Sequence, residues 1–110
     1  MARRIDAVLI DDLTSANAAG YANVADIAHC TEFAFYVAFN HTSAAGTVLI
    51  ETARSDDYAG VWAVLATVNW SAIDKTHYVA ITGVVKSLRA RISSAITSGK
   101  VTVEMVANIM

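Results

Sequence analysis

Few residues in this chain could carry out chemistry: it has three histidines, one cysteine and no catalytic serine pattern. The histidines at 29, 41 and 77 lack the short spacing that brings two imidazoles to one metal ion. No Gly-x-Ser-x-Gly sequence marks a nucleophilic serine. His29 and Cys30 are neighbours, and neighbouring side chains of a strand point to opposite faces. We therefore predict no catalytic residue, no bound cofactor and no metal centre, and we expect Cys30 to be buried and inert.

Two pairs of adjacent aspartates, Asp11-Asp12 and Asp56-Asp57, offer the hard oxygen atoms that calcium prefers. A calcium site needs about six to eight oxygen ligands. Acidic pairs are also common in turns, because their side chains hydrogen-bond to the local backbone. The turn interpretation is preferred, and calcium remains an alternative. The sequence contains no glycine-rich pattern for binding phosphate.

Charge is scarce and scattered along the chain. Charged residues make up 16% of the sequence, and the formal net charge is -2. The local concentrations of positive charge are Arg3-Arg4 and Arg89 with Arg91, whereas a protein that binds nucleic acid usually has a continuous basic face. No run approaches the roughly 18 apolar residues of a membrane helix, and the apolar run after Arg4 is too short and too acidic for secretion. We expect neither nucleic acid nor a membrane among the partners.

Alternation of side-chain types is the clearest pattern in the chain, and it predicts β-strands. In the segment 33–39, phenylalanine and valine occupy the odd positions, while alanine and tyrosine occupy the even ones. Similar segments recur at regular intervals, with turn-forming residues between them. The predicted strands are 5–10, 33–39, 47–54, 61–70, 76–82, 84–93 and 100–106, with a further short strand or a turn of helix at 24–29.

This spacing favours an all-β domain, an antiparallel β-sandwich or jelly roll of about seven or eight strands. We expect a single domain, with residues 31–110 forming the sandwich and residues 1–30 forming an N-terminal arm and edge strand. The segment 84–97 has a second interpretation, because Val84, Leu88 and Ile92 also follow helical spacing. The β-branched residues at both of its ends favour a strand. A helix there would make the domain α+β.

Aromatic side chains raise a second functional possibility, which is stacking against the sugar rings of a glycan. Trp62 and Trp70 share one face of a predicted strand with Val64 and Val68, so we expect both tryptophans in the core. Tyr58 lies in a predicted loop and is the better candidate for exposure.

Arg89 and Arg91 lie two residues apart on the outward face of a predicted strand. Two guanidinium groups in this arrangement could bind acidic groups of a partner. The alternative, which we prefer, is pairing across strands with a carboxylate such as that of Glu51 or Glu104.

Composition adds an argument about assembly, because 55% of the residues are hydrophobic and few are charged. A domain of this size buries only about two thirds of its unfolded surface. Some apolar surface must therefore remain outside the core, and large exposed apolar patches usually mark interfaces. Symmetric contacts between copies are the common way to cover such surface.

Four segments of the chain resemble small β-sandwich virion proteins of tailed bacteriophages. Such proteins commonly have a Gly-Thr-Val-x-Ile-Glu strand and a Trp-x-x-Leu strand, then an Arg-x-Arg strand and a terminal Gly-x-Val-Thr-Val hairpin. The matching segments are Gly46-Thr47-Val48-Leu49-Ile50-Glu51, Trp62-Ala63-Val64-Leu65, Arg89-Ala90-Arg91 and Gly99-Lys100-Val101-Thr102-Val103. The resemblance covers residues 31–107.

The resemblance implies a non-enzymatic structural role in the virion, as a capsid decoration or as a component of a head fibre, neck or tail. It implies homo-oligomers, often trimers, that contact a major capsid protein or another virion protein. The first thirty residues lie outside the match and are the expected docking arm. The residues that we expect at interfaces are Arg3, Arg4, Tyr58, Arg89 and Arg91. The same plan is similar to discoidin-like carbohydrate-binding modules, so glycan binding for host adhesion is the alternative function.

Overall fold

The computed structural model describes residues 3–55, 57–73 and 75–109, except for the side chains at positions 3 and 109. In these residues, eight strands form two four-stranded sheets with antiparallel pairing, and one short helix precedes the third strand. This arrangement confirms the predicted all-β sandwich. The helix, the one such element that the described residues contain, is far too short to span a membrane.

The chain alternates between the two sheets. The elements are β1 (Arg3–Leu13), β2 (Ala19–Tyr21), α1 (Val24–Ile27), β3 (Cys30–Phe39), β4 (Ala45–Thr52), β5 (Ala63–Asn69), β6 (Thr76–Thr82), β7 (Arg89–Thr97) and β8 (Val101–Ile109). Sheet I has the strand order β1-β8-β3-β6, and sheet II has the order β2-β7-β4-β5. Apart from β4 and β5, strands that follow each other in the chain therefore lie in different sheets.

The third strand shows how the sequence pattern produces the core. Along β3, buried residues alternate with residues that face outward, as expected for a strand with one face against another sheet. The same alternation runs along β8 in sheet I and along the first half of β7 in sheet II. The inward side chains of both sheets form one hydrophobic core, whose largest members include Phe35, Ile10, Ile27, Ile50, Leu88, Ile92 and Met105.

The first thirty residues provide one edge strand to each sheet, because β1 pairs with β8 and β2 pairs with β7. The two edges come so close that a Cβ at Gly20 would overlap the carbonyl group of Leu9. Position 20 therefore requires a glycine. The segment 24–29, for which the sequence allows a strand or a turn of helix, is helical at Val24–Ile27. The side chain of Asn23 caps this helix by accepting a hydrogen bond from Ala25 N at 2.9 Å.

The segment 84–97 is a loop in its first part and a strand in its second. β7 covers Arg89–Thr97, which confirms the preference for a strand over a helix there. The predicted strand start at 84 is wrong, because the chain turns away at Gly83, where φ is +140°, and residues 84–88 leave the sheet. Ser87 holds this loop in place: its buried hydroxyl donates to Ala53 O at 2.6 Å and accepts from Ala53 N at 3.0 Å.

Candidate functional site

Glu51 is the one buried charged side chain in the described part of the chain, and it lies on the outer face of sheet II. Arg89 is directly opposite on β7 and donates from Nε to Glu51 Oε1 at 2.8 Å. Arg91 donates from Nε to Oε1 at 3.0 Å and from Nη2 to Oε2 at 3.2 Å, which is a bidentate contact. The predicted pairing across strands with Glu51 is therefore present. We call these three residues the arginine cluster.

Three neighbouring side chains enclose the arginine cluster. Trp62 lies over Arg89, with 4.2 Å between the guanidinium carbon and the ring centroid. Tyr21 meets the edge of Trp62, with ring centroids 5.8 Å apart. Arg91 Nη1 donates to Asn17 Oδ1 at 3.1 Å. A cation against an aromatic ring and away from water is stabilised. Both guanidinium groups are therefore engaged within the sandwich, and they are not a free pair of anion-binding groups.

The electrostatics of the cluster favour the ionised carboxylate. Burial by itself raises the pKa of Glu51, but the hydrogen bonds and charges of Arg91 and Arg89 outweigh burial and hold this pKa below its usual value. The hydrogen bonds that Arg91 donates to Glu51 in turn raise the pKa of Arg91. Glu51 is therefore ionised at neutral pH and neutralises one of the two guanidinium charges.

Trp62 is buried, but not in the place that the sequence predicts. It precedes β5 and packs on Arg89, outside the core between the sheets. Its Nε1 donates to Tyr58 O at 2.9 Å, which ties the loop before β5 to sheet II. Tyr58 is half-buried, and the guanidinium of Arg54 lies 5.2 Å from its ring centroid. Of the two tryptophans predicted in the core, Trp70 alone packs against it.

The outer face of sheet I has a different character, because it is built from small side chains beside two tyrosines. Ala34 on β3 lies between Ala80 on β6 and Val106 on β8. Tyr36 and Tyr78 are paired directly across β3 and β6, with ring centroids 5.2 Å apart. The two residues are 44% and 61% exposed. We call this outer face of sheet I the tyrosine face.

A shallow depression lies on the tyrosine face next to the two rings. It has a volume of about 240 Å³, and Ala34 and Ala80 line it together with Tyr36, Tyr78 and polar side chains that include Glu32. The alanines leave this space because their side chains end at Cβ. Another protein surface could therefore approach the backbone of sheet I closely at this point.

The other half of the tyrosine face carries charged residues from β1 and β8. A second depression of about 330 Å³ is lined by Arg4, Asp6, Val8 and Glu104, among others. Arg4 Nε lies 3.1 Å from Asp6 Oδ1, and both side chains are exposed. An exposed ion pair of this kind contributes little to stability.

The five residues expected at interfaces do not converge on one place. Arg89 and Arg91 are in the arginine cluster, and Tyr58 lies in the loop beside it. Arg4 lies on the opposite side of the sandwich, on the tyrosine face. The backbone of Arg3 begins β1, and its side chain lies outside the described residues.

Sequence reasoning missed the partners that surround these residues. Asn17 and Tyr21 belong to the first thirty residues, and only the pairing of β2 with β7 brings them to the arginine cluster. The sequence does indicate that Tyr36 faces outward. It alternates with Phe35 and Val37, and it must face outward when they face inward. Its pairing with Tyr78 depends on the register of β3 and β6.

The candidate metal ligands are dispersed. In residues 3–55, 57–73 and 75–109, no three His, Cys, Asp or Glu side chains form a group that could hold an ion. Asp12 accepts a hydrogen bond from Thr102 Oγ1 at 3.2 Å, and Asp56 lies outside the described residues. The thiol of Cys30 is buried and donates to Asp26 O at 3.4 Å. Burial, and then the charge of Asp26, raises the pKa of Cys30.

Comparison with known proteins finds solved structures that have a similar fold. No protein family model and no curated protein sequence matches the chain. The SPBc2 prophage-derived protein YomS is 12% identical, with a TM-score of 0.71 over 98% of this chain and 95% of that one. The K2 cleaved adhesin domain of Lys-gingipain is 10% identical, with a TM-score of 0.67 over 97% and 72% of the two chains.

The PBSX exported protein XepA is 16% identical, with a TM-score of 0.66 over 97% of this chain. The match covers 38% of XepA, so this chain corresponds to one part of that larger protein. Sequence identities this low report a shared fold and not a shared activity. The chain therefore has the β-sandwich fold of these proteins, and in YomS that fold extends over almost the whole chain.

Proposed function

We propose that the chain is a non-enzymatic structural protein of a bacteriophage virion that acts through contacts with other protein surfaces, including copies of itself. The observation that carries this proposal is the tyrosine face, where Tyr36 and Tyr78 are exposed beside alanines. Aromatic side chains are enriched at interfaces between proteins, and exposed apolar patches usually mark such interfaces.

The phage context has two supports. The SPBc2 prophage-derived protein YomS shares the fold over 95% of its length. In addition, we interpret the strand orders β1-β8-β3-β6 and β2-β7-β4-β5 as a jelly roll, an arrangement of eight strands that is used in viral capsid and lectin domains. A capsid decoration or a connecting component of the head, neck or tail is the role that suits a small domain of this kind.

The arginine cluster supports a structural role and not a catalytic one. A catalytic carboxyl group usually has its pKa moved toward the working pH, so that it can exchange a proton. In contrast, Arg89 and Arg91 hold the pKa of Glu51 below its usual value. Glu51 is thereby kept ionised and engaged, and it joins neighbouring strands of sheet II.

Residues 1–30 are the proposed docking segment toward a major capsid protein or another virion protein. They supply an exposed edge of each sheet, and Arg4 and Asp6 are exposed on the first of these edges. An Arg4→Glu variant should bind purified particles less tightly than the wild type, while its unfolding curve stays the same.

The decisive experiment is to locate the chain in particles. Virions from the source should be purified on a density gradient and analysed by quantitative mass spectrometry. The proposal expects the chain in many copies per particle, in a fixed ratio to the major capsid protein. A chain that remains in the lysate and is missing from intact particles would overturn it.

A glycan is the second candidate for the tyrosine face. The depression beside Tyr36 and Tyr78 is lined by Glu32, Thr82 and Asn108, so that aromatic rings and hydrogen-bonding groups lie together, as sugar binding requires. Trp62, one of the aromatic residues weighed for this role in the sequence, is buried and packs on Arg89. A glycan array would support this function if binding is present and is lost in Tyr36→Ala. An array without any binding would exclude it.

A further inference from the structure

The four strands at the sheet edges differ in how they are protected against pairing with another chain. β2 has three residues, and the register of β1 shifts after Val8 and again after Ile10. The pairing of β5 with β4 shifts at Glu51. In contrast, β6 pairs with β3 over seven residues without any shift. Short length, bulges and charges normally prevent edge pairing, and β6 contains no Lys, Arg, Asp, Glu, Pro or Gly.

The backbone of β6 presents a free row of donors and acceptors. Lys75 O accepts from Phe39 N, and Gly83 N donates to Thr31 O, both at 2.8 Å. The odd-numbered residues of this strand therefore direct their backbone groups toward β3. In an antiparallel ladder, the even-numbered residues then direct their N–H and C=O groups away from β3. Within the described part of the chain, β6 is the last strand of sheet I, so these groups face a free edge.

We infer that β6 is an assembly edge, which pairs antiparallel with β6 of a second copy of this chain. The inference deepens the proposed function, on which it rests, by naming one contact between copies. With Val79 at the two-fold axis, all seven residues of each strand are paired. The even-numbered residues of the two copies then exchange backbone hydrogen bonds, and two sheets of four strands become one sheet of eight.

The side chains favour a second copy as the occupant of this edge. In the register centred on Val79, Tyr78 of one copy lies opposite Ala80 of the other. The depression on the tyrosine face is lined by Ala34 and Ala80, so it lies beside the edge where that tyrosine arrives. A large ring packs well next to a small side chain. Because the axis is two-fold, this contact between Tyr78 and Ala80 occurs twice, once from each copy. Like charges do not meet across the axis, because β6 has no Lys, Arg, Asp or Glu and His77 lies opposite Ile81 of the other copy in this register.

The pairing of Thr76 with Thr82 across the axis provides a test that depends on the register. In the double variant Thr76→Lys with Thr82→Lys, two pairs of like charges face each other, and the dissociation constant should rise about tenfold or more. In the matched variant Thr76→Glu with Thr82→Lys, opposite charges meet and the dimer should persist. Both variants place the same lysine substitution opposite Glu32 of β3, and they differ only at the exposed position 76, which lies opposite Ala38, so the fold should tolerate them equally.

A proline at position 80 tests the backbone contact separately. The amide of Ala80 points away from β3, so Ala80→Pro removes a hydrogen bond between copies and leaves the pairing within the sheet. Far-UV circular dichroism checks that the fold is retained. Should this variant not fold, the two charge variants still decide the question.

Mass should be measured by light scattering after size exclusion, over a range of protein concentrations. We expect twice the mass of the chain for the wild type and for the Glu/Lys variant, and a shift toward the monomer for the Lys/Lys variant. A wild type that is monomeric at about 100 µM, or charge variants that behave alike, would overturn the inference. A monomer that is nevertheless abundant in virions would refute the β6 contact and leave the proposed function intact.

Discussion

Glu51 and Arg89 lie directly opposite each other on β4 and β7, and Arg89 Nε donates to Glu51 Oε1 at 2.8 Å. The pair is on the outer face of sheet II, yet the Glu51 side chain is only 3% exposed, because Arg89 and Arg91 contact its carboxylate and Trp62 lies over Arg89. The outer face of a sheet is ordinarily exposed to solvent. Here it contains a charge cluster that is shielded from water and that links β2, β4 and β7 through Arg89, Glu51 and Tyr21.

Removing the negative charge of this cluster should destabilise the fold. In Glu51→Gln, the two guanidinium groups stay close together without their counter-ion. Breaking a buried ion pair costs about 3–5 kcal/mol. Since the arginines keep 16% and 23% side-chain exposure, we expect a smaller loss, about 2–3 kcal/mol, in the free energy of unfolding measured with urea.

Glu104→Gln is the matched control for this substitution. Glu104 lies on the tyrosine face and is exposed. The same chemical change there should alter the free energy of unfolding by no more than about 0.5 kcal/mol. Equal effects at positions 51 and 104 would mean that the arginine cluster does not stabilise the sandwich.

The stability of the protein should depend on pH in the acidic range through Glu51. The pKa of Glu51 is lower in the folded protein than its usual value, so folding favours the ionised form. This contribution is complete above the unfolded pKa of about 4.3, and it is lost as the pH falls through the lower folded pKa. The difference in unfolding free energy between the wild type and Glu51→Gln should therefore shrink as the pH falls from about 6 to 3. A constant difference would contradict the lowered pKa.

The close approach of β1 and β2 should make position 20 intolerant of any side chain. In Gly20→Ala, the new methyl group would overlap the backbone carbonyl of Leu9, which cannot move without shifting β1. We expect a loss of about 3 kcal/mol in the free energy of unfolding. Gly60→Ala is the control, because there the methyl group would meet the end of the Tyr58 side chain, which can rotate away. In thermal unfolding, the melting temperature of Gly60→Ala should be well above that of Gly20→Ala.

Cys30 should be unreactive in the folded protein. Its side chain is buried, and its raised pKa leaves little thiolate at neutral pH. With a chromogenic thiol reagent at pH 8, we expect its reaction to be at least about 100-fold slower in buffer than in denaturant. A Thr82→Cys substitution in a Cys30→Ala background gives an exposed comparison, which should react quickly in both solutions. Rapid reaction of Cys30 in buffer would contradict its position in the core.

The strands could be predicted from the sequence because buried and outward-facing residues alternate along a strand. Phe33, Phe35 and Val37 are all inward and buried, as their alternation with smaller residues predicts. The pairing of Arg89 and Arg91 with Glu51 could also be predicted from the sequence, since an arginine pair on an outward face needs an acidic partner. Trp62 was misassigned because the register of β5 shifts between Ala66 and Val64, so that Val64 lies opposite Glu51 on the outer face and Trp62, two residues earlier, packs on that face as well.

The sequence by itself determined the class of fold, since alternation and turn residues are local properties that any antiparallel sandwich must satisfy. Only the tertiary structure decided which strands are neighbours, because pairing depends on contacts between residues far apart in the chain. That order placed Tyr21 and Asn17 at the arginine cluster, brought Tyr36 beside Tyr78, and left β6 as a regular, uncharged edge. Each of these features depends on register, and a shift of one residue would turn every side chain of a strand to the other face.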